Sequence, residues 1–244
     1  MNNIKCIFFD LDNTIWDFSR SSEIALEEVF SMYGLISEFK NYLIFKKIYS
    51  FHNTRLWNKY YNTNISREDL LIDRFKFTLK ERGINDIDFA IDINNSYMDL
   101  CYQHTKLFKG VINNLNKFNQ KGIVCSAISN GFDDVQNKKL LKCNIREQFT
   151  NIYCSESIGI CKPHKEIFNF ACKEEGYKEE NCLMVGDNFE IDIKGALKAG
   201  LHASWFCPPN NKIPQNIVDF KTEHLSNNSI NSLDIINSFY DIKL

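Results

Sequence analysis

Ile4-Lys5-Cys6-Ile7-Phe8-Phe9-Asp10-Leu11-Asp12-Asn13-Thr14 is a short apolar, β-prone run that stops at two acids spaced two apart. A mostly apolar run of this length, without polar alternation, reads as a strand buried on both faces of a parallel sheet. Open α/β sheets bind ligands beyond the carboxyl ends of their strands. Asp10 and Asp12 sit at that end of the first strand, which makes them the first candidate site residues.

The chain changes character immediately downstream. From about residue 21 to 104 the periodicity is helical and strand signals are nearly absent. One amphipathic segment opens at Ser22-Glu23 and stops at Gly34. A second, rich in aromatics, runs from Lys40 to Asn62. Ser66-Arg67-Glu68-Asp69 offers a hydroxyl cap and first-turn acids for a third, which ends near Gly83. The fourth spans Asp86 to about Tyr102. Four helices without strands predict a small bundle.

Alternation then begins. A helix over residues 110–120 closes at Lys121-Gly122 and leads into a strand over 123–128 and Ser129-Asn130-Gly131. A helix follows over 133–143, then a short strand over 149–153. Lys162-Pro163 precedes a helix over 164–175. The strand Leu183-Met184-Val185 runs into Gly186-Asp187-Asn188, a helix spans 191–199, and a last clear strand spans 203–206. Residues 229–239 read as a terminal helix. The expected fold is α/β: a doubly wound, Rossmann-like parallel sheet core over residues 1–16 and 105–244, with a helical-bundle cap inserted at 17–104.

Composition bounds the function. In 244 residues, 44% are apolar and 25% charged, as in an ordinary globular protein. The formal net charge of −2 gives no global attraction for a nucleic-acid polymer. The longest basic runs are the pairs Lys46-Lys47 and Lys138-Lys139, each expected on a solvated helix face. Nine scattered cysteines include no Cys-x-x-Cys and no zinc spacing; they read as small buried hydrophobes in a reducing cytosol. The N-terminus has no signal-peptide core, and no apolar stretch approaches the ~20 residues of a membrane span. A cytoplasmic protein without a membrane partner is expected; monomer and homodimer both remain open.

Three polar clusters fall at strand ends: Asp10/Asp12, Ser129/Asn130 and Asp187/Asn188. Lys162 lies on a loop before a helix, its backbone restricted by Pro163. A lone Asp-x-Asp makes a capped turn, and Ser129 alone caps a helix. Four such segments aimed at one sheet edge make a site. Clustered carboxylates repel unless a cation or a proton neutralises them. An all-oxygen ligand set selects a hard ion, Mg²⁺ above all, with Asp10, Asp12 and Asp187 as ligands. A lysine beside such a centre suits a phosphoryl oxygen.

Taken together, these pieces resemble the haloacid dehalogenase-like hydrolase superfamily. Phe8-Phe9-Asp10-Leu11-Asp12-Asn13-Thr14 looks like its first motif and Ser129-Asn130 its second. Lys162-Pro163 looks like the third, and Gly186-Asp187-Asn188-Phe189-Glu190-Ile191-Asp192 the fourth. The helical insertion looks like that superfamily's first type of cap. Within it, the chain is similar to bacterial pyrimidine 5′-nucleotidases acting on noncanonical nucleotides. That likeness rests on Leu56-Trp57, Tyr60, Ile65 and Arg74-Phe75, on Ser129-Asn130-Gly131-Phe132, and on Trp205. Thr63 departs from a glycine common in that branch. Trp57 and Phe75 serve equally well as packing residues of a bundle.

The resemblance implies phosphoryl transfer with Asp10 as nucleophile and Asp12 as acid and base. Mg²⁺ would be held by Asp10, Asp187 and the backbone carbonyl of Asp12. Ser129, Asn130 and Lys162 would hold phosphate oxygens of a small phosphorylated metabolite. Asp192, with Asn188, would orient Lys162 or stand behind the metal's own ligands. A dehalogenase of the same superfamily needs no acid two residues after the nucleophile, so Asp12 argues against it. A phosphosugar phosphatase, a phosphomutase and, more distantly, a phospho-accepting signalling switch remain alternatives.

Overall fold

Cys6-Ile7-Phe8-Phe9 has no polar face to offer solvent, and all four residues are buried. In the computed structural model, which describes residues 3–62, 65–208, 213–226 and 232–242, this is β1 (Cys6–Phe9). Five helices follow without a strand: α1 (Phe18–Met32), α2 (Ile36–Phe39), α3 (Tyr42–Tyr61), α4 (Arg67–Lys80) and α5 (Ile87–Gln103). The alternating part comprises α6 (Val111–Gln120), β2 (Val124–Ser129), α7 (Asp133–Lys142), β3 (Ile152–Cys154) and the single turn α8 (Ser155–Ile158). It continues with α9 (Lys165–Glu175), β4 (Cys182–Gly186), α10 (Lys194–Ala199), β5 (His202–Phe206), α11 (Gln215–Ser226) and β6 (Leu233–Ile236).

The six strands form one parallel sheet in the order β3-β2-β1-β4-β5-β6. The chain winds outward from β1 to β3, then crosses back to β4 and winds the other way. That is the doubly wound order, with its switch point between β1 and β4. Phe9 pairs in register with Ala127 on one side and Val185 on the other. Asp10 and Asp187 therefore leave adjacent strands side by side at the crevice. Successive side chains of β1 point to opposite faces. Phe8 packs toward Tyr153 on one face, and Phe9 toward Phe118, Phe149 and Phe239 on the other. Both faces of the sheet are covered, as a parallel sheet requires.

The chain divides into two compact units, one running to Asp17 and resuming at Lys106, the other spanning Phe18–Thr105. The helical unit is built on an aromatic core in which Phe30, Phe39, Phe45, Tyr49, Phe75 and Tyr97 are buried. Ser66 starts α4 as a reciprocal cap with Asp69, and Asp86 caps α5 through the amide of Phe89. Arg74 is inside this core: its Nη2 donates to Asn94 Oδ1 at 2.8 Å and its guanidinium lies 4.9 Å from the Tyr97 ring centroid. Arg74 and Phe75 thus pack the helical unit internally. Trp57 is half-buried against Tyr60 and Tyr61, and Thr63 lies outside the described residues.

The C-terminal part departs from expectation. The predicted helix over 229–239 is replaced by β6, which pairs with β5 through Ala203↔Leu233 to Phe206↔Ile236; Ser229 lies outside the described residues. The run Leu-Asp-Ile-Ile carries too little periodicity to choose a helix by itself, and an available sheet edge decides it. The helix before it, α11, was not expected. All nine cysteines are free thiols, seven of them buried.

Candidate active site

Asp10 is placed by the sheet: its amide donates to the Val185 carbonyl at 2.9 Å, which extends the β1–β4 ladder by one residue. The chain then turns sharply, with Asn13 in the left-handed region at φ 65°. Asn and Asp tolerate that region better than other side chains with a Cβ. At the end of β4, Asp187 faces the same crevice. Its carboxylate accepts a 3.3 Å bond from the Thr14 hydroxyl, and its carbonyl accepts 2.7 Å from Trp205 Nε1.

Gly186 has a steric reason. A Cβ there would lie 2.5 Å from Asp192 Oδ2. Asp192 comes back against the strand end through a wide turn over Phe189–Ile193. Asn188 builds that turn. Its Oδ1 accepts from the amides of Glu190 and Ile191, and its own amide donates 3.0 Å to Asp192 Oδ2.

Lys162 completes the cluster. Its Nζ is 2.6 Å from Asp10 Oδ1 and 2.6 Å from Asp192 Oδ1. Asn130 fixes its backbone reciprocally: Lys162 N donates to Asn130 Oδ1 at 2.8 Å, and Asn130 Nδ2 donates to the Lys162 carbonyl at 3.0 Å. The Lys162–Pro163 peptide is cis. The helix that follows starts at Lys165, one residue later than the sequence predicts. The Asn130 side chain is thus spent on positioning Lys162.

The electrostatics follow from a count. Carboxylate oxygens of Asp10, Asp187 and Asp192 lie within 4.8 Å of one another. Against them stands, among the described residues, the ammonium of Lys162, so with all three ionised −3 and +1 would leave −2 at a buried centre. Burial, with Asp192 and Asp187 adding to it, pushes the Asp10 carboxyl well above the usual range even though Lys162 pulls it down. Burial and Asp192 likewise push Asp187 up to about 7. Burial opposes the charge on Lys162, but Asp10 and Asp192 outweigh it and hold the ammonium above its ordinary value. The lysine keeps its proton, and the raised carboxyls of Asp10 and Asp187 mark the unbalanced negative charge. Three oxygen donors without His or Cys, short by two positive charges, suit a hard divalent cation.

Asp12, two residues on, is not part of that cluster. Its Oδ1 accepts from Trp16 Nε1 at 2.7 Å and Lys139 Nζ at 2.6 Å, and its Oδ2 accepts from Gln136 Nε2 at 2.7 Å. Burial alone would raise its carboxyl, but Lys139 and these hydrogen bonds hold it below the usual range. Ser129 Oγ accepts from the Gly131 amide at 3.0 Å and from Gln136 Nε2 at 3.1 Å. Lys138 is exposed as expected, but Lys139 is only 2% exposed, which corrects its reading as a solvated residue. Lys139 and Gln136 had no signal in the sequence, because a buried polar pair and a solvated one share the same helical spacing. A separate cavity of about 500 Å³ lies within the helical unit, lined by His52, Arg55, Leu56, Lys59, Phe77, Lys80 and Glu81. None of the expected site residues lines it.

The model of the haloacid dehalogenase-like hydrolase family matches residues 4–200, a span that carries Asp10, Asp12, Ser129, Asn130, Lys162, Asp187 and Asp192. The chain belongs to the haloacid dehalogenase-like hydrolases. HAD-hydrolase YfnB of Bacillus subtilis is 28% identical over 229 residues, covering 92% of this hydrolase and 94% of YfnB. The pyrimidine 5′-nucleotidase YjjG of Escherichia coli is 28% identical over 212 residues, covering 86% of this hydrolase and 89% of YjjG. A crystal structure of YfnB bound to magnesium matches with a TM-score of 0.77 at 24% identity, over 98% of this chain and 97% of that one. An L-2-haloacid dehalogenase from Xanthobacter autotrophicus matches with a TM-score of 0.64 at 16% identity, over 90% of this chain and 82% of that one; the likeness is one of fold. Among the described residues, no helix of the hydrolase is long and apolar enough to cross a membrane.

Proposed function

We propose that this hydrolase is a Mg²⁺-dependent phosphatase that cleaves a phosphomonoester through an aspartyl phosphate on Asp10. The observation that carries this reading is the charge deficit at the switch point, where three carboxylates face one lysine. A phosphate dianion would not approach such a centre unaided. Mg²⁺ held by Asp10, Asp187 and the Asp12 carbonyl would supply the missing positive charge.

The chain's own residues divide the remaining work. Asp10 attacks phosphorus in line, so the bond to its oxygen forms as the ester bond breaks. Lys162 holds a phosphoryl oxygen and offsets the charge on Asp10. The Ser129 hydroxyl and the Asn130 backbone amide hold another. Asp12 gives its proton to the leaving alkoxide. Water then attacks phosphorus, the bond to Asp10 breaks, and the water's proton returns to Asp12. The donors around Asp12 keep it ionised in the substrate-free protein, ready for the water step. For the leaving-group step it must first gain a proton, which the negative charge of an incoming phosphate favours.

An acid at this position is what separates phosphate from halide as the leaving group, because a halide needs no proton. The substrate class proposed is a small phosphorylated metabolite, with pyrimidine nucleoside 5′-monophosphates first, since YjjG carries that activity by name. The test is phosphate release from nucleoside monophosphates, sugar phosphates and p-nitrophenyl phosphate, with Mg²⁺ and with EDTA. Metal-dependent release that Asp10→Asn abolishes is the expected result. Release that survives Asp10→Asn in folded protein overturns the proposal. Release that peaks on a sugar phosphate keeps the chemistry and discards the nucleotide.

A further inference from the structure

Helix α7 buries two polar side chains that packing alone would not select. Gln136 is fully buried and Lys139 is 2% exposed. They are three residues apart, so they share one face of the helix. Both reach the carboxylate of Asp12 and take one oxygen each: Gln136 Nε2 at 2.7 Å from Oδ2, and Lys139 Nζ at 2.6 Å from Oδ1. Trp16 Nε1 adds a second donor to Oδ1 at 2.7 Å, and the Lys139 ammonium lies 5.4 Å from the Trp16 ring centroid. A carboxylate bonded at one oxygen by Gln136 and at the other by Lys139 and Trp16 is restrained about its terminal torsion.

Two further details show that the backbone accommodates this arrangement. A Cβ at Gly131 would lie 2.2 Å from Gln136 Nε2, so the glycine leaves room for the amide. The Gln136 Oε1 atom is buried and has no hydrogen-bond donor among the described residues, while its Nε2 serves both Asp12 and Ser129 Oγ at 3.1 Å. The orientation of the amide is fixed by this: turned over, its oxygen would face the Asp12 carboxylate. A buried ion pair is seldom a gain over an apolar pair of the same shape, and an orphaned acceptor is a direct loss. An apolar trio at 12, 136 and 139 would serve the fold at least as well.

We propose that Lys139 and Gln136 are positioning residues that hold the Asp12 carboxylate in the orientation needed for proton transfer, with Gln136 tying it to the phosphate-binding hydroxyl of Ser129. This rests on the reading of Asp12 as acid and base. The two side chains act through Asp12 and Ser129 and are not themselves placed at the reacting atoms. Their effect is therefore on kcat, and it scales with how much the leaving group needs a proton.

The experiment compares Lys139→Met, Gln136→Met and Asp12→Asn, and the double variant Asp12→Asn with Lys139→Met. Each is assayed with Mg²⁺ on uridine 5′-monophosphate, or the best alkyl phosphate of the panel, and on p-nitrophenyl phosphate. General acid–base help is worth about 10²–10⁴-fold. Lys139→Met should lose on the order of 10²-fold in kcat on the alkyl ester and about tenfold or less on p-nitrophenyl phosphate, as part of that contribution. KM should stay within about threefold, and Gln136→Met should show the same pattern at smaller size. On the p-nitrophenyl ester the double variant should be no slower than Asp12→Asn alone, because groups acting as a unit are not additive.

Equal loss on both esters, a loss in KM alone, or an additive double variant would overturn the positioning role. If Asp12→Asn itself shows no leaving-group dependence, the acid–base reading of Asp12 fails first. If Asp12→Asn shows it and Lys139→Met matches the wild type, only the present inference fails. Should Lys139→Met not fold, Lys139→Gln keeps a neutral donor one bond shorter, and it is expected to recover part of the alkyl-ester rate.

Discussion

Replacing Lys162 by Met keeps the buried stem and removes the one positive charge that faces Asp10 and Asp192 at 2.6 Å each. Two consequences are open to the metal-free variant. It can keep the carboxylates charged and bear the penalty of a broken buried pair, about 3–5 kcal/mol. Or it can protonate one more of them. At about 1.36 kcal/mol per pKa unit, protonating an acid with an unfolded value near 3.9 costs roughly 5–6 kcal/mol at pH 8 and about 2 kcal/mol at pH 5.5. The cheaper route at pH 8 is the charged one, and at pH 5.5 it is the protonated one. Destabilisation should therefore be about 3–5 kcal/mol near pH 8 and fall to about 2 kcal/mol or less near pH 5.5. Urea unfolding in EDTA at the two pH values reads this directly, and near pH 8 the melting temperature should drop by on the order of 10 °C. Equal destabilisation at both pH values would refute the reasoning, since it would mean that packing of the stem, not charge, is what Lys162 contributes.

Three other outcomes follow from the same geometry. In the wild type without metal, Asp187 is pushed up to about 7 from an ordinary 3.8, so the folded state binds protons the unfolded state has lost. That stability is present at low pH and lost as pH rises through about 7; the urea midpoint in EDTA should fall between pH 5 and pH 8, and Mg²⁺ should restore it. Gly186→Ala should cost about 1–3 kcal/mol by overpacking, and it should lower activity further by displacing Asp192 from Lys162, read by urea melts and phosphate release. Ser66→Ala removes the hydroxyl that accepts from the Asp69 amide at 3.0 Å. The helical unit should lose about 1 kcal/mol, seen as a lower thermal midpoint, with phosphate release unchanged.

What is legible in the sequence is set by whether a residue's job is local. Asp10 and Asp187 are visible because a carboxylate at the end of a buried strand is costly to the fold unless a ligand or a partner uses it, and β1 and β4 turn out to be neighbours at the switch point. Lys162 is visible through Pro163, and the structure adds that Asn130, expected at the phosphate, spends its side chain on the Lys162 backbone instead. The grip on Asp12 is not legible. Lys139 belongs to a Lys-Lys pair on a helix, and only the contact between α7 and the turn after β1 separates a buried 2%-exposed lysine from a solvated one. Strand β6 escapes the sequence for the same reason, since its conformation comes from an edge of β5 that lies some thirty residues earlier in the chain. The site therefore has two layers. One is written at strand ends, where backbone geometry constrains which residues fit: Gly186, because of Asp192, and Asp10, because of the β4 ladder. The other is written on helix faces, where any polar residue fits the pattern, and there only burial shows which of them act. A sequence with Met at 136 and 139 would keep every strand end and motif intact, and it would leave the Asp12 carboxylate held through Oδ1 by Trp16 alone, with Oδ2 released.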